Sequence, residues 1–104
     1  MAQSDIKLME AAIALAEELN FSRAAQKLHI TQPALTKRIA ELEDRLGISL
    51  FTRDHQVVDV NDSGQAFVEE ARLSMLHGEG VFQAAQRAAR GVDVVLNDIL
   101  FSPL

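Results

Sequence analysis

Two helical patterns that meet at a joint too short for anything but a tight turn constrain this chain more than any other feature. They occupy the stretch Phe21 to Leu46, FSRAAQKLHITQPALTKRIAELEDRL, with the joint at His29 and Ile30. The first is expected to open on Ser22 as N-cap, whose hydroxyl can take an otherwise orphaned backbone N–H. It then runs through the helix formers Arg23, Ala24, Ala25, Gln26, Lys27 and Leu28. The second opens at Thr31. Pro33 falls in its first turn, where a missing N–H costs nothing, so the proline marks a start rather than a break. At about 100° per residue Leu35, Ile39, Leu42 and Leu46 fall within roughly 60° of one another, a stripe that must face a core. The pair reads as a helix-turn-helix.

The opposite face of the second helix carries Pro33, Thr36, Lys37 and Ala40, flanked by Gln32 and Arg38, while Glu41, Glu43 and Asp44 come only in later turns. That asymmetry suits a helix that enters a DNA major groove N-terminus first. Its amide ends and its two cations would meet phosphates and base edges, and its carboxylates would stay away from the backbone. The same pattern equally fits a helix pair whose polar face is merely solvated, because this geometry solves a packing problem before it serves a function.

Phe21-Ser22-Arg23-Ala24-Ala25, Leu28, Thr31-Gln32-Pro33-Ala34-Leu35-Thr36, Ile39, Leu42-Glu43, Leu46-Gly47, Leu50-Phe51 and Arg53 resemble, in order and spacing, the N-terminal domain of the LysR-type bacterial transcriptional regulators. The resemblance extends from about residue 5 to about residue 90. It implies a mainly α fold: a winged helix-turn-helix of three helices and a short two-stranded wing, followed by a long linker helix that dimerises it. In the whole regulator a separate C-terminal domain binds a small-molecule effector. Carried over position by position, and agreeing with the entry end of the outward face, base contacts fall on Gln32, Pro33, Thr36 and Lys37. Glutamine suits adenine, lysine suits guanine, and the proline ring or the threonine methyl suits the thymine methyl. Phosphate contacts fall on Ser22, Arg23, Lys27, Thr31, Arg38 and Arg53.

The flanking segments support that frame. Residues 5–19 read as a first helix with Leu8, Ala12, Leu15 and Leu19 in one stripe, broadened by Met9 and Ile13. Phe21 then plugs the corner before the second helix, whose Ala24, Ala25 and Leu28 face inward. His29, at the joint, reads as a surface or packing residue. Gly47 supplies a left-handed cap, after which Leu50–Thr52 and Val57–Val60 are short β-prone runs around a tip, Arg53 to Gln56. Phe51 and Val58 would cover the core. Arg53 is the wing's candidate for the DNA backbone, with His55 and Gln56 as weaker ones at the tip, and Asp54 a repulsive neighbour for a phosphate.

Asn61 is an N-cap for a helix from about Asp62 to Arg90, roughly 43 Å long at 1.5 Å per residue if continuous. Its stripe of Phe67, Ala71, Met75, Gly78, Phe82, Ala85 and Ala89 needs a partner helix. The resemblance supplies one, the same helix of a second copy packed antiparallel, so that a homodimer meets an inverted-repeat operator. Gly78 and Gly80 leave open a kink or break near residue 78. The expected division is a DNA-binding domain over 1–61, a linker helix over 62–90 and a tail over 91–104. That tail, GVDVVLNDILFSPL, reads either as the start of a truncated effector domain or as the end of a short protein that docks on its own dimer.

Charge is the main objection to a nucleic-acid partner, since the 104 residues carry a net −5. Its distribution answers in part. Residues 21–56 place Arg23, Lys27, Lys37, Arg38, Arg45 and Arg53 against Glu41, Glu43, Asp44 and Asp54, while the segments on either side are acidic. So weak a positive segment is expected to need two copies on one site, and its binding to fall steeply with salt. No cysteine is present, which removes disulfides and thiolate metal sites and fits a reducing cytoplasm, the expected location. No apolar run approaches the roughly 20 residues of a membrane span. The three histidines lie far apart, and neither a phosphate-binding glycine loop nor a paired-carboxylate motif occurs, so no enzyme, metal or cofactor is expected. The rival reading is a dimerisation or protein-docking module of the same fold that does not bind DNA.

Overall fold

The structure, a computed structural model, describes residues 3–55 and 57–90; Gln56 and the expected tail over 91–104 lie outside the described residues. The elements are α1 (Gln3–Glu18), α2 (Phe21–Lys27), α3 (Gln32–Leu46), β1 (Phe51–Asp54), β2 (Val57–Val60) and α4 (Asp62–Arg90). The chain divides into two compact units, Met1–Arg72 and Leu73–Leu104. The first extends past residue 61 because Gly64, Val68 and Ala71 of α4 are buried in it. The second comprises, among the described residues, the remaining turns of α4, which stay helical through Gly78 and Gly80.

The largest fully buried side chains of the first unit are Leu15 of α1, Leu35 and Ile39 of α3, and Leu50 at the entrance to the wing. Leu8, Ala11, Ala12 and Ala14 of α1, Ala24 and Ala25 of α2, Leu42 of α3, Phe51, Val58 and Val68 complete the core. Alanines on the α1 and α2 faces remove side-chain bulk where the helices pack, so the short α2 can sit close against its neighbours. The expected core stripe of α3 holds for Leu35, Ile39 and Leu42 but not for Leu46, which is 42% exposed. It lies in the last turn, where the helix runs beyond the core, and borders an apolar groove with Leu8, Met9, Leu42 and Phe67. Leu19 likewise leaves its stripe at 41% exposure, because α1 ends at Glu18 and Leu19 turns left-handed with φ +50°.

The caps decide where helices begin and end. α2 is capped by Asn20, whose Oδ1 accepts the Arg23 N–H at 2.9 Å, and not by the expected Ser22, which lies inside the first turn. Asparagine caps as well as serine does, and it sits one position before Phe21, the first helical residue. The α2–α3 joint closes with His29 in the left-handed region, φ +57°, its N–H donating to the Gln26 carbonyl and that of Ile30 to the Ala25 carbonyl. Thr31 caps α3 as expected, its hydroxyl accepting the Ala34 N–H at 3.2 Å, and Gly47 ends that helix at φ +70°. Asn61 caps α4, accepting the Gly64 N–H at 2.8 Å.

The wing is a two-stranded antiparallel ribbon in which Phe51 pairs with Val60, Thr52 with Asp59, Arg53 with Val58 and Asp54 with Val57. The first strand is longer than the sequence suggests. Arg53 and Asp54 belong to the ladder rather than to the tip, because backbone pairing continues past the last apolar residue. Strand alternation then puts Arg53 on the same face as the buried Phe51.

Candidate nucleic-acid interface

The start of α3 is where the chain offers exposed polar chemistry on a rigid support. Gln32, Pro33, Thr36, Lys37 and Ala40 are all exposed and together line one shallow depression on the outward face. Burial of Leu35 and Ile39 on the other side fixes their direction. Arg38 is half-buried beside them. Among the described residues no carboxylate lies within 4.0 Å of Lys37 or Arg38, so neither charge is compensated by an ion pair. The N-terminal end of the helix dipole adds to the same positive field.

A second concavity joins three elements. Asn20, Phe21 and Ser22 at the start of α2, Gln32 at the start of α3, and Arg53 and Val58 of the wing line it together. Three residues expected at the interface from separate stretches of sequence, Ser22, Gln32 and Arg53, are thus neighbours. Arg53 is held there by two contacts: its guanidinium carbon lies 5.1 Å from the centroid of the Phe21 ring, and its Nη2 lies 3.6 Å from Glu43 Oε1. A guanidinium over an aromatic face is attracted by the ring quadrupole and keeps its remaining N–H groups free for a ligand.

Other candidates are placed differently. Arg23 is exposed on α2. Lys27, also exposed, is engaged with α1: its Nζ lies 2.6 Å from Glu17 Oε1 and 3.4 Å from Glu18 Oε2. That hydrogen bond is the main reason that the Glu17 carboxyl titrates below its ordinary value and the Lys27 ammonium above its own. The Thr31 hydroxyl oxygen is occupied as a cap, which leaves its O–H free to donate. At the wing tip His55 is almost fully exposed, 3.4 Å from Asp54 Oδ1, in the left-handed region with φ +48°.

The stripe expected to pair two copies is split. In the first unit Ala71 is 3% exposed, which commits it to its own domain, and Phe67 is half-buried against the core. In the second unit Met75 and Gly78 are half-buried, while Phe82, Ala85 and Ala89 are exposed, Phe82 at 72%. Leu73, Leu76 and Val81, not part of that stripe, are exposed apolar residues as well. At roughly 100° per residue Leu73 lies on the side of the helix opposite Phe82.

Sequence reasoning did not read Asn20 as a cap, and it took Glu43 only as a carboxylate of the later turns. Asn20 stands directly before a helix-forming run, the signal of a cap. Glu43 stands one turn before Gly47, behind which the first amides of the wing need an acceptor. Among the described residues there is no group of three or more His, Asp or Glu that could hold a metal ion, and no helix is long and apolar enough to cross a membrane.

A family model described as "Bacterial regulatory helix-turn-helix protein, lysR family" matches residues 6–65. The chain is 36% identical over 88 residues to the HTH-type transcriptional regulator AlsR of Bacillus subtilis (strain 168), a match that covers 84% of this chain and 29% of that protein. A crystal structure of a CbnR_DBD–DNA complex superposes with a TM-score of 0.70 at 35% identity, over 82% of this chain and 97% of that one. A BenM_DBD/catB site 1 DNA complex gives 0.78 at 31% identity, over 83% and 92%. The chain spans less than a third of the length of AlsR and of two further curated relatives, XapR of Escherichia coli (strain K12) and YcgK of Bacillus subtilis (strain 168). Matched by that family model over more than half its length, and folded as a helix-turn-helix with a two-stranded wing and a long fourth helix, the chain belongs to the LysR family of bacterial regulatory helix-turn-helix proteins.

Proposed function

We propose that the chain binds double-stranded DNA in a sequence-specific way, as the DNA-binding part of a LysR-type transcriptional regulator, with α3 in the major groove and two copies on an inverted repeat. The observation that carries this reading is the outward face of α3: Gln32, Pro33, Thr36 and Lys37 exposed side by side at a helix N-terminus, the lysine with no carboxylate within 4.0 Å among the described residues. Related domains of known structure in complex with DNA support it. Gln32, Pro33, Thr36 and Lys37 are assigned to base edges; Ser22, Arg23, Thr31, Arg38 and Arg53 to phosphates. Lys27 reaches a phosphate only by giving up Glu17. A homodimer through the second unit of α4 covers its exposed Phe82 side and sets the distance between the two recognition helices. Response to a small molecule, and the direction of regulation, belong to the greater length of the family's full regulators.

The test is a set of affinities for an operator and for random duplex over a range of salt. Thr36→Ala and Lys37→Ala are each expected to cost about 1–3 kcal/mol on the operator and to alter base preference. Arg53→Ala should weaken all duplexes alike and lower the salt slope by about one. Equal losses on operator and random DNA for all three would defeat the assignment of base contacts. Binding that is indifferent to salt would point to a protein-docking module instead.

A further inference from the structure

Glu43, outside the proposed interface, has polar contacts with Ser49, Leu50, Phe51 and Arg53. It lies at the start of the last turn of α3 with its side chain only 16% exposed. One oxygen, Oε2, accepts the backbone N–H of Leu50 at 2.7 Å and that of Phe51 at 3.2 Å, with the Ser49 hydroxyl 3.3 Å away. The other, Oε1, faces Arg53 at 3.6 Å. After the left-handed turn at Gly47 the chain doubles back along α3, which brings the first amides of the wing to this one carboxylate. An acceptor-only, charged group suits two backbone N–H donors at the entrance of the wing, because hydrogen bonds to an ionised acceptor are the strong ones.

We infer that Glu43 is a positioning residue for DNA binding: it fastens the entrance of the wing to the recognition helix and holds the Arg53 guanidinium against Phe21, so that wing and helix meet the duplex as one rigid surface. The inference rests on the DNA-binding reading above. Two opposed effects of the carboxylate decide its sign. A negative charge near a phosphate site weakens binding, whereas a preorganised guanidinium binds without the cost of ordering its side chain. Glu43 turns this charge inward, onto backbone amides, and Lys37 lies six residues earlier, about 120° away around the helix. Positioning therefore prevails.

The experiment is a double-mutant cycle on the whole chain, with affinity for a selected operator and for random duplex as readouts and thermal melting as the control for folding. Glu43→Gln keeps the length of the side chain and an oxygen for the Leu50 N–H, but removes the charge that faces Arg53. It should weaken operator binding about threefold or more, and Arg53→Ala should lose at least about threefold less in the Glu43→Gln background than in the wild type. A role confined to stability would lower the melting temperature and leave the Arg53→Ala effect unchanged. That additivity, or tighter binding by Glu43→Gln, overturns the inference while the DNA reading stands. If Glu43→Gln does not fold, Glu43→Asp carries the same cycle, since its shorter side chain cannot reach the amides and Arg53 together. A wild type that shows no salt-dependent duplex binding overturns the DNA reading and this inference with it.

Discussion

Glu17 sits between two cations from different helices, Lys27 Nζ at 2.6 Å and Arg72 Nη2 at 3.0 Å. The hydrogen bond from Lys27 is the leading cause that lowers its pKa below the ordinary 4.5; desolvation, the next largest, opposes it, and the positive charges of Lys27 and Arg72 add to the lowering. A carboxyl whose pKa falls on folding adds stability above its unfolded value, and that stability is lost as pH drops through the folded one. Lys27, raised above 10.5 chiefly by the same hydrogen bond, adds stability below that value and loses it as pH climbs past the folded one. Both groups are well exposed, so solvent screening keeps the effect small. Glu17→Gln should therefore melt at a lower temperature than the wild type near pH 7, and the difference should shrink as pH falls below 4.5. A gap in melting temperature that stays constant from pH 7 to pH 3 would contradict this account of the cluster.

At the level of elements, α4 starts in close contact beneath the wing. A Cβ on Gly64 would lie 2.2 Å from the Leu50 carbonyl oxygen and 2.6 Å from Val60 Cγ2. Backbone cannot swing aside as the tip of a side chain can, so Gly64→Ala is expected to destabilise the domain by about 1–3 kcal/mol, measured by urea unfolding. An unchanged midpoint would mean that α4 does not approach the wing this closely. Much of this framework was legible in advance. The 3.6-residue period of Leu35, Ile39 and Leu42, the Thr31 and Asn61 caps, Gly47 and the four-residue β-prone run of the second strand each follow from one local preference. What escaped depends on tertiary contacts. Whether Asn20 or Ser22 caps α2 turns on where α1 stops. Leu46 continues the stripe in phase but overruns the core, and Ala71 fits a dimer seam in phase but is buried under its own domain. Of the candidate site, the α3 face was readable because it is one helix face. The grouping of Ser22, Gln32 and Arg53, and the grip of Glu43 on the wing, need three elements to meet.

For the molecule as a whole, α4 carries more exposed apolar surface than a single copy has use for: Leu73, Leu76, Val81 and Phe82 are each more than half exposed. Pairing along the Phe82 side predicts that Phe82→Glu shifts the chain to monomer in sedimentation, while Leu73→Glu, on the opposite side of the helix, leaves the dimer in place. The reverse result would move the seam to the other face. The proposed homodimer would also answer the net charge of −5, because two weakly positive recognition surfaces on one duplex add their phosphate contacts where one does not suffice. Sequence-specific binding by the α3 face is the claim on which the rest depends, and selection of bound sequences from a random duplex pool, with Lys37→Ala run in parallel, tests it most directly. The account predicts an inverted repeat whose bases shift at the position that Lys37 reads. A pool that stays random at low salt while the chain remains folded would contradict it.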